Sequence, residues 1–316
     1  MNLSIWLSAF RLRTLPLSLS SILMGSFLAN HINNSPQNEN ILEKTNGFQW
    51  SIFGLCILTT IFLQILSNLA NDYGDSQNGA DHKDRKGPQR AVQAGLISMQ
   101  AMKKAIFVFT FLALISGLTL LWVSFGNNLT LFLTFLGLGI AAIIAAITYT
   151  AGSKPYGYAG LGDISVFIFF GYIGVIGCYF LYTQTFIWTL LLPATSCGSF
   201  SVAVLNVNNI RDIKSDLQAG KYSIPVRLGR EKAIIYHFIL LFIGLLTTIF
   251  YTILTWQHPI QLLFLLTLPL LIRNAMAIKN TKNPEELDPY LKQMAITTLF
   301  FVLSFGGGLQ LVKYFL

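Results

Sequence analysis

The stretch LQILSNLANDYGDSQNGADHKDRKGPQR, Leu63 to Arg90, begins inside a long apolar run and ends in four aspartates, Asp72, Asp75, Asp81 and Asp84. The whole chain holds 13 acidic residues, so about a third of them stand here. Elsewhere the sequence is poor in charge: of 316 residues 53% are hydrophobic and 11% charged, and the mean hydropathy of +0.60 excludes an ordinary soluble globular domain.

Working outward from this stretch, about nine apolar runs have the roughly 17 to 25 residues that cross a hydrocarbon core. They lie near 14–30, 50–71, 103–124, 129–150, 162–183, 186–209, 233–256, 258–277 and 293–315. Short polar breaks such as GNN at 126–128 and QHP at 257–259 separate them. The expected fold class is all-α: one polytopic bundle over 1–316 with a lipid-facing surface, because helices satisfy their own backbone groups inside lipid.

Basic residues test this segmentation, since cytoplasmic loops carry the Lys/Arg excess. With the N-terminus inside, 19 of the 21 Lys and Arg fall on the cytoplasmic side, and only Lys44 and Lys313 fall outside. The longer cytoplasmic loops are then expected at about 72–102 and 210–232. The net charge of +8 reports topology and anionic lipid, and no nucleic-acid partner is read from it. The first run lacks a small-residue cleavage site behind it and is expected to remain as a span.

Spacing within the acidic clusters points to chemistry. Asn68, Asn71, Asp72 and Asp75 fall at i, i+3, i+4 and i+7, one face of a helix if the second span continues that far. In NVNNIRDIKSD, Asn208, Asp212 and Asp216 follow at steps of four and are expected on one face of the sixth span. Hard oxygen ligands at two helix C-termini suit Mg²⁺ carrying substrate phosphate oxygens. The matching Asn68/Asp72 and Asn208/Asp212 pairs suggest a parallel internal repeat. A secondary transporter would place its ionisable groups near the bilayer midplane, whereas these collect at one end. Cys56, Cys178 and Cys197 lie in apolar runs without metal-ligand spacing, and the four histidines form no constellation.

Four segments carry a resemblance to the UbiA superfamily of intramembrane prenyltransferases. They are RTLPLSLSSILMG (13–25), LQILSNLANDYGDSQNGAD (63–81), AAITYTAGSKPYGYAGLGDISVFIFFG (145–171) and VLNVNNIRDIKSDLQAGKYSIPVRLG (204–229). Within the superfamily the chain is similar to the naphthoate-prenylating branch. The resemblance implies nine helices around a central cavity in a bacterial cytoplasmic membrane, with the active site toward the cytoplasm. It implies transfer of a polyprenyl group from an allylic diphosphate to 1,4-dihydroxy-2-naphthoate with loss of carbon dioxide, giving demethylmenaquinol. Other acceptors or donors within the superfamily, 4-hydroxybenzoate or phytyl diphosphate, are the alternatives.

The implied metal ligands are Asp72, Asp75, Asp81, Asp212 and Asp216, with Asn68, Asn71 and Asn208 beside the substrate diphosphate. Two departures stand out. The usual third aspartate of the first motif is Gly79, with Asp81 nearby, and the familiar RPKTLP reads RLRTLP at 11–16, leaving open which of Arg11 and Arg13 faces the cavity. A departing diphosphate also needs fixed cations, for which Lys154 and Arg211 are candidates alongside Arg11 and Arg13. Tyr149 and Tyr156 are candidates to face the allylic cation. Asp163, opening the fifth span, is expected to orient the acceptor, bind metal through water or cap its helix.

Overall fold

A computed structural model describes residues 3–33, 48–79 and 90–315. Among them nine helices are long and apolar enough to cross a membrane: α1 (Leu3–His31), α2 (Trp50–Gln77), α3 (Met99–Phe125), α4 (Leu129–Thr148), α5 (Gly162–Thr183), α6 (Trp188–Arg211), α7 (Arg230–Leu254), α8 (Pro259–Asn280) and α9 (Pro284–Tyr314). No strand occurs among the described residues. Asp81 and Asp84 lie outside them.

Lipid supplies no hydrophobic drive between helices, so spans associate through close backbone approach and buried polar contacts. The centre of the bundle follows that rule. α6 carries PATSCGSFSVAV, with Ser196, Cys197, Gly198, Ser199 and Ser201 all buried, and α5, α7 and α9 pack around it. At Gly171 an added Cβ would stand 2.7 Å from the Ala194 carbonyl, so only glycine lets α5 and α6 approach this closely. Residues 167–177 of α5 widen into a π-helix, and the Phe170 carbonyl accepts from Ser21 of α1 at 2.6 Å.

α1 departs from expectation. Its apolar run suggests a start near residue 14, but helix already forms at Leu3–Phe10, breaks at Arg11 and resumes from Leu15. Arg11 takes a left-handed conformation, φ 49° and ψ 52°, uncommon for a residue with a side chain. Gln64 and Asn68 of α2 hold the break. Asn68 Nδ2 donates to Phe10 O at 2.9 Å and to Thr14 Oγ1 at 3.1 Å, and Gln64 Nε2 donates to the same hydroxyl at 3.2 Å. These bonds bring Arg11 and Arg13 over the end of α2.

Candidate functional site

Helix α2 runs without interruption to Gln77, which places Asn68, Asn71, Asp72 and Asp75 on adjoining turns. Asn68, Asp72 and Asp75 are buried. Gly74 makes this possible, because the backbone of Thr150 packs where its side chain would be. The 149–161 connection thereby lies against α2: Thr150 Oγ1 donates to Asn71 Oδ1 at 3.0 Å and Tyr158 OH to Asp75 Oδ1 at 2.8 Å. The other oxygen of Asp75 meets Arg90 Nη2 at 2.5 Å.

The second column differs from the sequence expectation. α6 stops at Arg211, and Asp212 turns the chain with φ −97° and ψ 9° into a separate short helix, Ile213–Gln218, that carries Asp216. The stagger survives, because Asp212 N bonds Asn208 O at 3.1 Å and Asp216 N bonds Asp212 O at 2.8 Å. Two neighbours account for the turn. Ser215 Oγ donates to the Asp212 carbonyl at 2.9 Å, and Arg211 grips the Asp212 carboxylate through Nε and Nη2 at 2.9 and 2.8 Å.

Arginines converge between the two columns. Arg11, Arg13, Arg90 and Arg211, with Asp72 and Asn208, line a pocket of about 380 Å³. Both Arg11 and Arg13 therefore face it. Asp288 of α9 accepts from Arg13 at 3.0 Å and Arg211 at 2.6 Å, tying the first, sixth and last spans together at this pocket. Asn208 Oδ1 accepts from Arg211 Nη2 at 2.8 Å. The geometry presents planar N–H forks from several directions, the arrangement that recognises phosphate oxygens.

Lys221 completes the cation set beneath Asp216, its Nζ 3.5 Å from Asp216 Oδ1. Burial works against its charge, but the Asp216 and Asp75 carboxylates outweigh that and hold its pKa above the ordinary lysine value. Burial pushes the Asp216 carboxyl up to about 6 against the pull of Lys221, and the charges of Asp212 and Asp75 add to the rise.

A second, larger cavity of about 680 Å³ lies along the membrane-spanning part of α2. Its walls are mainly aliphatic and aromatic side chains of α2 to α5, with Ser18, Ser21 and Ile22 of α1 and Leu205 of α6, and one end is polar, where Gln64, Asn68, Asn71, Tyr149, Tyr156 and Ser165 meet. Tyr149 and Tyr156 pack edge to face with ring centroids 5.3 Å apart. Tyr156 OH lies 3.0 Å from both Ala145 O and Ser165 Oγ. Burial pushes the Tyr149 hydroxyl up to about 12 and raises that of Tyr156, so both stay protonated at neutral pH.

Asp163 is buried one residue inside the α5 start and does not cap it; it accepts from Tyr236 of α7 at 3.1 Å. Lys154 is exposed in the connection and lines neither cavity.

The donor set suits a hard cation. Among the described residues Asp72 Oδ1 and Asp216 Oδ2 are buried carboxylate oxygens without a hydrogen-bond partner, which a folded chain rarely tolerates without a ligand. No three His, Cys, Asp or Glu among the described residues converge as a metal cage. Mg²⁺ is ordinarily held by one or two carboxylates together with water and phosphate oxygens, so a sparse carboxylate set beside a phosphate-recognising pocket fits it.

Comparison with known proteins gives the family. Residues 41–305 match the UbiA prenyltransferase family. The chain belongs to that family. It is accordingly a prenyltransferase and an integral membrane protein. Among curated relatives, the 1,4-dihydroxy-2-naphthoate octaprenyltransferase of Haemophilus influenzae is 44% identical over 98% of this chain and 96% of its own length. The solved structure of a UbiA homolog from Aeropyrum pernix K1 superposes with a TM-score of 0.66 at 16% identity, covering 95% of this chain and 98% of that one. A UbiA homolog from Archaeoglobus fulgidus bound to DMAPP and Mg²⁺ gives a TM-score of 0.55 at 15% identity, covering 95% and 98%.

Sequence reasoning missed four residues that the fold places in or against the family's motifs: Arg90, Lys221, Asp288 and Tyr158. Arg90 and Lys221 were visible only as members of basic loops. Their signal was proximity to the motifs, with Lys221 five residues beyond Asp216. Nothing in the sequence distinguished Asp288 from the neighbouring acids Glu285 and Glu286.

Proposed function

We propose that the chain transfers the polyprenyl group of an allylic polyprenyl diphosphate to 1,4-dihydroxy-2-naphthoate in a bacterial cytoplasmic membrane, with the two motifs facing the cytoplasm. The observation that carries this reading is a juxtaposition. An arginine-lined pocket and an apolar cavity flank the same last turns of α2, with Asp72 facing the pocket and Asn68 and Asn71 facing the cavity. A molecule with a diphosphate head and a long hydrocarbon tail has those two halves. The naphthoate acceptor is drawn from the relatives' names, and the inward orientation from the Lys/Arg asymmetry.

Arg11, Arg13 and Arg211 hold the diphosphate and oppose the negative charge that grows on it as the allylic C–O bond breaks. Asp72, Asp75, Asp212 and Asp216 are the residues that would hold Mg²⁺, with Asp81 joining them by resemblance; Asn68, Asn71 and Asn208 stand beside the diphosphate. When bound, Mg²⁺ supplies Lewis-acid neutralisation of the leaving group. The aliphatic walls of the larger cavity exclude water, which would otherwise capture the allylic cation. Tyr149 and Tyr156, at the polar end of that cavity, are the aromatic rings that would stabilise the cation.

Asp163 acts at one remove, holding Tyr236 and standing near Tyr149, so that the acceptor end of the cavity keeps its shape. The new C–C bond forms at the carboxyl-bearing carbon of the acceptor. Carbon dioxide then leaves, and the electron pair of the broken C–C bond restores the aromatic ring as demethylmenaquinol. This balance needs no separate base for a ring proton. Lys154, exposed and away from both cavities, receives no part in bond breaking.

The test is product formation by the purified protein in detergent, with a polyprenyl diphosphate, Mg²⁺ or EDTA, and 1,4-dihydroxy-2-naphthoate or 4-hydroxybenzoate. Metal-dependent prenylation of the naphthoate with release of carbon dioxide is expected. Turnover of 4-hydroxybenzoate alone would overturn the acceptor assignment.

A further inference from the structure

Arg90 stands apart from the other arginines of the pocket because it also closes off a carboxylate of the first motif. It begins a turn in which Ala94 N bonds Arg90 O at 2.9 Å and Leu96 N and Ile97 N both bond Ala91 O, at 3.0 and 3.2 Å. Buried Ala91 and Ile97 dock this turn on an apolar cluster with Ala9, Leu69, Tyr73 and Met102. The guanidinium is therefore delivered from a fixed base. Its Nη1 donates to Asn71 O at 2.8 Å, its Nη2 pairs with Asp75 Oδ2 at 2.5 Å, and the side chain also lines the pocket shared with Arg11, Asp72 and Arg211.

With Tyr158 on Oδ1 and Arg90 on Oδ2, both oxygens of Asp75 are engaged. A divalent cation at Asp75 must displace or repel this guanidinium, so the ion pair and cation binding oppose one another. A cation and a diphosphate, by contrast, support one another. A guanidinium carries five N–H donors and, once off Asp75, is already beside the pocket where phosphate oxygens would lie.

We propose that Arg90 is a diphosphate-binding residue stored on Asp75, and that a divalent cation taking Asp75 releases it to the diphosphate. Arg90 thus weakens cation binding by the protein alone and strengthens diphosphate binding, which makes ordered loading of metal and substrate a property of one side chain. The inference rests on the metal and diphosphate reading above. A purely structural Arg90 would shift both affinities in the same direction, whereas this role shifts them in opposite directions.

The experiment uses the full-length protein in detergent and two probes: Mn²⁺ without diphosphate, followed by electron paramagnetic resonance, and inorganic pyrophosphate with saturating Mg²⁺, followed by calorimetry. In Arg90→Met the Mn²⁺ dissociation constant should fall about tenfold and the pyrophosphate constant rise about tenfold, the scale of one charged contact. Arg90→Lys should recover part of the pyrophosphate affinity. Weakening of both ligands in Arg90→Met, the signature of a disturbed fold, would overturn the proposal, as would unchanged Mn²⁺ affinity. Asp75→Asn is the separate control: Mn²⁺ binding equal to that of the unsubstituted protein would remove the metal reading itself, and the inference with it.

Discussion

Asp72 lies in a pocket lined by four arginines, and one of its oxygens has no hydrogen-bond partner among the described residues. Replacing that carboxylate by an amide keeps the shape and removes the anion. Asp72→Asn should lower kcat at least about a hundredfold at fixed Mg²⁺ while leaving the protein folded and monodisperse, the scale of one lost electrostatic contact in a transition state. Near-normal turnover would remove Asp72 from the metal set. Asp216 predicts a pH effect. Its folded pKa of about 6 lies above the ordinary 3.8, so the native state holds this proton more tightly than the unfolded chain. The stabilising contribution is present below 3.8 and lost as pH rises through about 6. Metal binding needs the ionised form. The Mg²⁺ concentration for half-maximal rate should therefore rise below pH 6, by at most about tenfold per pH unit, and Asp216→Asn should flatten that rise.

Elements position these residues, and the decisive contacts are between α2 and the connection after α4. Gly74→Ala forces the Thr150 backbone away from α2 and with it Tyr158, a partner of Asp75. The expected cost is about 1–3 kcal/mol, as for overpacking elsewhere, read as a lower midpoint of thermal unfolding in detergent together with weaker Mg²⁺ activation. At this scale the sequence was partly legible. The i, i+3, i+4, i+7 pattern at Asn68 to Asp75 predicted a continued helix, and α2 does continue, because a single helix encodes its own facing. The break after Arg211 was not legible, since it depends on Ser215 holding the Asp212 carbonyl while Arg211 holds its carboxylate, side-chain contacts that carry no period. The left-handed Arg11 depends instead on Asn68 and Gln64, partners more than fifty residues away. Long-range partners leave no local period to read.

At the scale of the whole molecule, the nine spans found among the described residues were legible from hydropathy, because the bilayer imposes length and composition on each span separately. The cavity between them was not, since its walls come from six different spans. α4 forms one wall and buries no residue of its own, so it is the span most open to lipid. A bulky side chain there should obstruct the hydrocarbon tail without touching the arginine pocket. Ala142→Trp is expected to reduce turnover of long polyprenyl diphosphates more than of dimethylallyl diphosphate, measured as the ratio of kcat/KM values for the two donors. An equal loss for both would place the tail elsewhere. The central claim is the division of labour between the two cavities. Its most direct test is an experimentally determined structure with Mg²⁺ and an unreactive allylic thiodiphosphate. The account predicts diphosphate density among Arg11, Arg90, Arg211 and Asp72, with the tail along α2 toward α4. A diphosphate bound outside the arginine pocket would contradict it.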